Sequence, residues 1–192
     1  EKMLAKYGRK IIGWDEILEG GLSPEATVMS WRGTSGGISA ALQKHDVIMT
    51  PGSGGLYLDH YQGDYKIEPV TIPSAPAYLS RTYNYEPVPD TIKSLGLEKH
   101  ILGVQCNNWS EYMYTNAKME YQMYPRSLAL AEIAWSPAKK KNFTDFARRV
   151  DANSVRLDER HVRYHIPLPE QPYGSCDKVV ITKDTVVTFQ TS

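Results

Sequence analysis

Cysteine is nearly absent from this chain: two residues in 192, with only three phenylalanines. Cys106 sits in an apolar stretch and Cys176 in the tail, which gives neither a disulfide framework nor a metal-ligand spacing. The five histidines, His45, His60, His100, His161 and His165, show no ligand spacing with acids or cysteines, so no metal is assigned. No apolar run approaches the roughly 18 residues that a membrane helix needs. Net charge is missing too. Twenty-two Lys and Arg balance 22 Asp and Glu, which excludes nucleic acid or an anionic membrane as a general partner. No G-x-G-x-x-G follows any candidate strand, so a dinucleotide-binding fold has no support. There is no initiator Met and no signal-peptide pattern. The chain opens as if inside a helix, with Gly8 reading as its C-cap, and the expectation is a piece of something longer.

What the chain has in quantity is aromatics that can hydrogen-bond, 13 Tyr and four Trp. Such rings are common in carbohydrate sites and at interfaces. The most informative stretch is Leu102-Gly-Val-Gln-Cys-Asn-Asn-Trp-Ser-Glu-Tyr112. It begins as a short apolar run of the kind buried on both faces of a parallel sheet. It ends with Trp109 and Glu111 two residues apart, on the same side of an extended segment. A ring face with a carboxylate beside it suits a sugar, offering apolar surface to C–H groups and an acceptor to hydroxyls. The bland alternative is a core Trp beside a solvated Glu.

Three other segments end alike. Residues 9–16 form a strand closing on Trp14, residues 26–33 repeat the pattern with Trp31, and residues 46–51 lead into a glycine-rich turn. The spacing predicts a helix over residues 36–44, with Thr34 or Ser35 as N-cap. Residues 60–99 form a long Tyr- and Pro-rich excursion without sustained period, a length that is usually functional. After a fourth strand at 100–106 come helices. Residues 117–135 read as one helix stopped by Pro137, with Trp135 on its apolar face, and 143–163 as another. Residues 164–177 form a proline-stiffened linker, and the alternation at 178–192 reads as the opening strand of a further module. Short apolar strands alternating with helices argue for parallel α/β. Four polar strand endings point to the top face of a (β/α)8 barrel, with a doubly wound sheet as the alternative.

Taken together, Gly13-Trp-Asp-Glu16, Met29-Ser-Trp-Arg-Gly33, Thr50-Pro-Gly-Ser-Gly-Gly-Leu-Tyr-Leu-Asp59, Asn108-Trp-Ser-Glu111 and Pro125-Arg-Ser-Leu-Ala-Leu-Ala-Glu-Ile-Ala-Trp135 resemble glycoside hydrolase family 20, the β-N-acetylhexosaminidases. The resemblance covers roughly residues 1–160, with the motifs in order. It implies the carboxyl-terminal half of a (β/α)8 TIM barrel, strands five to eight, over residues 1–163. Residues 164–177 would then be a linker, and 178–192 the first strand of a β-sandwich module. It further implies substrate-assisted retaining hydrolysis of terminal N-acetylglucosamine or N-acetylgalactosamine, an exception to the two-carboxylate scheme. The family's acidic Asp-Glu pair follows its fourth strand in a His-x-Gly-Gly-Asp-Glu context, and no such segment occurs here. Asp15-Glu16 is an adjacent pair too, but it belongs to the next strand along.

The resemblance assigns roles residue by residue. Trp14, Trp31 and Trp109 match the rings that wrap the acetamido group. Tyr57 matches the catalytic hydroxyl that holds the acetamido oxygen in line for attack. Asp59 and Glu111 match the carboxylates that bind the outer hydroxyls. Tyr83 and Tyr85 match a sugar-stacking aromatic by position only. No cofactor is implied. Expected partners are N-acetylhexosamine-terminated glycans and, for the whole enzyme, a second copy in a homodimer. The family implies a periplasmic or secreted location. The competing expectation is a non-catalytic carbohydrate-binding or structural module. Asn142-Phe-Thr144 fits a glycosylation sequon, a weak signal by itself.

Overall fold

The computed structural model describes residues 1–167. Most of the expected linker and all of the expected module at 178–192 lie outside the described residues. The chain begins with α1 (Lys2–Ala5), closed as the sequence predicts. Gly8 sits at φ +64, its N–H donates to Ala5, and Arg9 N–H reaches back to Leu4. That is the paired carbonyl capping which only a left-handed residue permits.

Four short strands follow: β1 (Ile12–Trp14), β2 (Thr27–Ser30), β3 (Val47–Met49) and β4 (Ile101–Val104). They form one sheet in the order β1-β2-β3-β4, every pairing parallel. Sequential order with parallel pairing requires a crossover between each pair, as in an α/β barrel. The central strands are the buried ones. Val28, Val47 and Met49 are inaccessible, whereas Ile12 on β1 and Leu102 on β4 are more than half exposed. Among the described residues, therefore, the sheet is open at both edges.

The crossover from β2 to β3 is α2 (Ser35–Leu42). Ser30 starts it, its Oγ accepting from Gly37 N–H and donating to the Gly33 carbonyl, both at 2.8 Å. Ala40 and Ala41 of α2 pack with Val28, Val47, Met49 and Ile92 in the main core. Burying each of the larger aliphatics contributes about 1.5–3 kcal/mol. A side chain at Gly37 would meet Met49 Sδ at 2.6 Å, so the helix packs this closely only without one.

The long excursion is more regular than its sequence suggests. It contains α3 (Leu79–Asn84) and α4 (Asp90–Ser94), each too short to show a periodic pattern. The expected single helix over 117–135 is two: α5 (Asn116–Met123) and α6 (Arg126–Trp135). Pro125 separates them, having no N–H to continue the helix. Trp135, expected on the apolar face, stands 88% exposed. The last helix, α7 (Phe143–Glu159), buries Phe146, Val150 and Leu157 at helical spacing. Asn142 Oδ1 accepts from Asp145 N–H and so caps α7. Arg149 ties α7 to α6 through Glu132, at 2.6 Å.

Candidate functional site

All the strand-ending aromatics lie at the carboxyl ends of the strands, where parallel α/β folds place their chemistry. Past β3 the chain makes a turn, Gly52–Gly54, before Tyr57. Gly55 holds φ +75 there, and an added Cβ would touch Thr82 N at 3.1 Å. A side chain at Gly52 would press the Tyr57 ring at 3.3 Å, so glycine makes room for it. Tyr57 then pairs with Asn107 in a parallel bridge beyond the named strands. Leu58 N–H donates to Asn107 and Asn107 N–H to Leu56, at 2.7 and 2.9 Å. Two loops that leave β3 and β4 are thereby stitched together.

The rings gather around this bridge. Trp31 lies 6.5 Å from Tyr57, only 16° from parallel. Trp14 lies 5.8 Å from Trp109 at 47°. Burial raises the Tyr57 hydroxyl above its ordinary pKa, the side chains of Asn107 and Trp109 pull it back, and the charge on Asp59 adds to the rise. At neutral pH it is a protonated donor. Gln105 orients the Asn107 amide by donating to its Oδ1 at 2.7 Å. His60 meets Tyr57 edge-on at 5.6 Å, and burial holds its pKa below the usual range.

Asp59 is 1% exposed, yet no side chain among the described residues hydrogen-bonds either carboxylate oxygen. Burial pushes its carboxyl above the usual carboxylate range. The charge of Glu111 adds to that, and Arg126 and nearby backbone N–H groups oppose it. A buried carboxylate left this way is costly unless something else satisfies it. Glu111 itself is exposed and Trp109 is 41% exposed. The structure therefore brings Trp14, Trp31, Tyr57 and Trp109 into one group, with Asp59 two residues beyond Tyr57 and Glu111 two beyond Trp109.

Tyr83 does not join them, and its expected stacking role is corrected. Tyr83 is 1% exposed, stacked 4.6 Å from Phe146, and its hydroxyl accepts Asn142 N–H at 2.6 Å. It is a core residue under α7. Tyr85 packs against the main core and over Gly54, where even a Cβ would clash at 2.5 Å. An aromatic near a loop's end in sequence does not reveal which side of the loop it takes.

Asp15-Glu16 has a structural office. Asp15, 2% exposed, accepts from Arg32 Nε at 2.9 Å and Arg32 N–H at 3.3 Å. Glu16 accepts the Trp31 indole N–H with both oxygens, each at 3.1 Å. That bond holds the Glu16 carboxyl below the usual range. The pair thus brackets two consecutive residues of the next strand ending.

The residue that sequence reasoning missed is Arg126. It is fully buried at the start of α6, and its donors meet the carbonyls of Leu58, His60 (3.2 Å), Ala77 (3.2 Å) and Gln122 (2.9 Å). Burial lowers its pKa to about 10, so it stays a cation at neutral pH. A signal was available: Arg126 shares a helix face with Ala129 and Ile133, and a charge on a buried face demands partners. No group of three or more His, Cys, Asp or Glu side chains could hold a metal among the described residues. No described helix is long and apolar enough to cross a membrane.

The glycosyl hydrolase family 20 catalytic-domain model matches residues 1–138. The chain is 58% identical over 194 residues to a β-hexosaminidase of Porphyromonas gingivalis (strain ATCC BAA-308 / W83), a match covering 100% of this chain and 24% of that protein. It is 36% identical over 132 residues to a β-hexosaminidase of Vibrio furnissii, covering 68% of this chain and 21% of that one. An exo β-N-acetylglucosaminidase from Vibrio harveyi, solved in complex with N-acetylglucosamine, superposes with a TM-score of 0.80 at 31% identity. That match covers 88% of this chain and 26% of the Vibrio harveyi chain. The chain spans about a quarter of the length of these curated relatives.

Proposed function

Because the chain belongs to glycosyl hydrolase family 20, we propose that it serves a β-N-acetylhexosaminidase acting on glycans that end in N-acetylglucosamine or N-acetylgalactosamine. One observation carries the reading. Three indoles and a phenol converge beside a buried carboxylate that no side chain among the described residues satisfies. Such a site offers an apolar slot for a methyl group, a hydroxyl donor for a carbonyl oxygen, and an acceptor for sugar hydroxyls. An N-acetylated sugar presents all three.

In the reaction we propose, the acetamido oxygen attacks C1 of its own sugar while the bond from C1 to the leaving oxygen breaks. The leaving oxygen takes a proton from a carboxylic acid, and water then opens the oxazolinium ring with overall retention. This chain's residues supply the geometry. Trp14, Trp31 and Trp109 confine the acetamido group beneath C1, which converts a floppy substituent into a near-attack nucleophile. The Tyr57 hydroxyl, kept protonated, donates to the oxygen that attacks. Asp59 and Glu111 hold the outer hydroxyls. The acid and its partner Asp are not among these residues, since Asp15 and Glu16 are committed to Arg32 and Trp31.

The proposal extends to a periplasmic or secreted location, supported by the family resemblance and by where polymeric glycans are met. It extends also to a homodimer, for which exposed Trp135 beside half-buried Leu128 offers an apolar surface. The test of the activity uses the full-length protein and two p-nitrophenyl substrates, the N-acetyl-β-glucosaminide and the β-glucoside. Strong preference for the acetamido sugar is expected. Turnover of neither would leave a carbohydrate-binding or structural module as the better reading, and equal turnover would overturn the role given to the acetamido group.

A further inference from the structure

Arg126 is the largest of the fully buried side chains among the described residues. Taking a guanidinium out of water costs several kcal/mol unless its donors are met, and an aliphatic of similar volume often fills such a space as stably. The four backbone groups that meet it come from three segments: the Tyr57 turn, residue 77 of the long excursion, and α5. Asp59 and Glu68 feel its charge, yet neither is hydrogen-bonded to it.

The placement of those carbonyls is informative. One nitrogen, Nη2, takes Leu58 and His60, the residues on either side of Asp59. The carbonyl of Asp59 itself accepts from Thr71 Oγ1. Leu58 N–H is held from the opposite side by Asn107 at 2.7 Å. Three consecutive carbonyls are therefore fixed around a side chain whose own two oxygens meet no side-chain donor among the described residues. The guanidinium does this through Nη2 while Nη1 reaches the Ala77 carbonyl at 3.2 Å, a span that the single nitrogen of an ammonium does not cover.

We propose that Arg126 is a positioning residue for Asp59, fixing the backbone on both sides of it so that the carboxylate meets the sugar's outer hydroxyls already aimed. The inference rests on the hexosaminidase reading above. It assigns a task to a cation buried beneath the site, which a role in packing alone does not require.

The test uses the full-length enzyme, with Arg126→Lys and Asp59→Asn singly and together. The substrates are p-nitrophenyl N-acetyl-β-glucosaminide and its 4,6-dideoxy counterpart, which lacks the outer hydroxyls. Misplacement of a binding group by about 1 Å costs on the order of 100-fold. Arg126→Lys should therefore lose about that much kcat/KM on the parent sugar and far less on the dideoxy sugar. Added to Asp59→Asn it should cost little more, the signature of two groups acting as a unit. Gln122→Met, which removes one acceptor of the guanidinium and keeps the cation, carries the same comparison at smaller amplitude should Arg126→Lys fail to fold. Equal losses on both sugars, with additivity in the double variant, would overturn the inference and leave Arg126 a structural residue. A wild type that turns over neither sugar sinks the hexosaminidase reading itself, and this inference with it.

Discussion

Glu16 receives the indole N–H of Trp31 on both carboxylate oxygens, each at 3.1 Å, across 15 residues of sequence. The carboxylate orients a ring of the proposed acetamido slot. In the full-length enzyme, Glu16→Ala should lower kcat/KM several-fold, and Glu16→Gln, which keeps an acceptor, should lose less. The bond also has a pH sign. It depresses the Glu16 pKa, so the stabilisation is complete above the ordinary glutamate value of about 4.3 and is lost as pH falls through the depressed one. The Trp31 indole proton resonance should shift over that acidic window. An indole resonance indifferent to both pH and Glu16→Ala would show that the contact does not form in solution.

Tyr57→Phe should act on the chemistry. It removes one hydrogen bond that strengthens as the acetamido oxygen becomes part of the oxazolinium ring. The loss should fall mainly on kcat, as for contacts made in the transition state. Losing one such donor costs on the order of 100-fold, about 3 kcal/mol. An analogue bearing hydroxyl in place of the acetamido group should be cleaved poorly and should not respond to the mutation. Equal damage to both substrates would make Tyr57 a packing residue of its loop.

Asp59 sets activity against stability. Burial raises its pKa, so folding is penalised by ionised Asp59 above that raised value. The penalty is absent below the unfolded value of about 3.9. Asp59→Asn should therefore raise the melting temperature at pH 7, and the gain should fade as pH drops toward 4. The same substitution should raise KM, since the lost contacts exist in ground and transition states alike, and Glu111→Gln should raise KM as well. A melting temperature that falls at pH 7 would mean that Asp59 is satisfied in the folded protein by a group outside the described residues.

The 192-residue chain by itself should hydrolyse no N-acetyl-β-glucosaminide, because the acid that would protonate the leaving oxygen is not among its assigned residues. Such an acid typically contributes about 100- to 10,000-fold. The isolated chain should also self-associate, given strand edges at β1 and β4 that expose Ile12 and Leu102. Light scattering that shows a monomer at high concentration would contradict the second expectation. Turnover abolished by Glu16→Gln would contradict the first.

Strands and site were legible in the sequence for the same reason. Short apolar runs ending in Trp14, Trp31 and Trp109 announce buried parallel strands and the residues that follow them. The break at Pro125 is masked in the sequence because Met119, Met123, Leu128 and Leu130 keep a helical spacing across it. The facing of Tyr83 was not legible. Whether a ring turns toward sugar or toward Phe146 is decided by α7, about 60 residues further on. The union of Arg126 with Leu58 and His60 is likewise tertiary, spanning 68 and 66 residues. Its charge on an apolar helix face could still have raised the question.

The bridge between Tyr57 and Asn107 bears on how the site comes apart. Leu58 and Asn107 donate their amides across it in opposite directions, so neither loop can open without releasing the other. Their amide protons should exchange with solvent at one common rate, slower than those of neighbouring exposed loop residues such as Tyr65 and Tyr114. The ring that would face the acetamido group and the segment carrying Trp109 and Glu111 then form a single opening unit, and the slot is lost whole or kept whole.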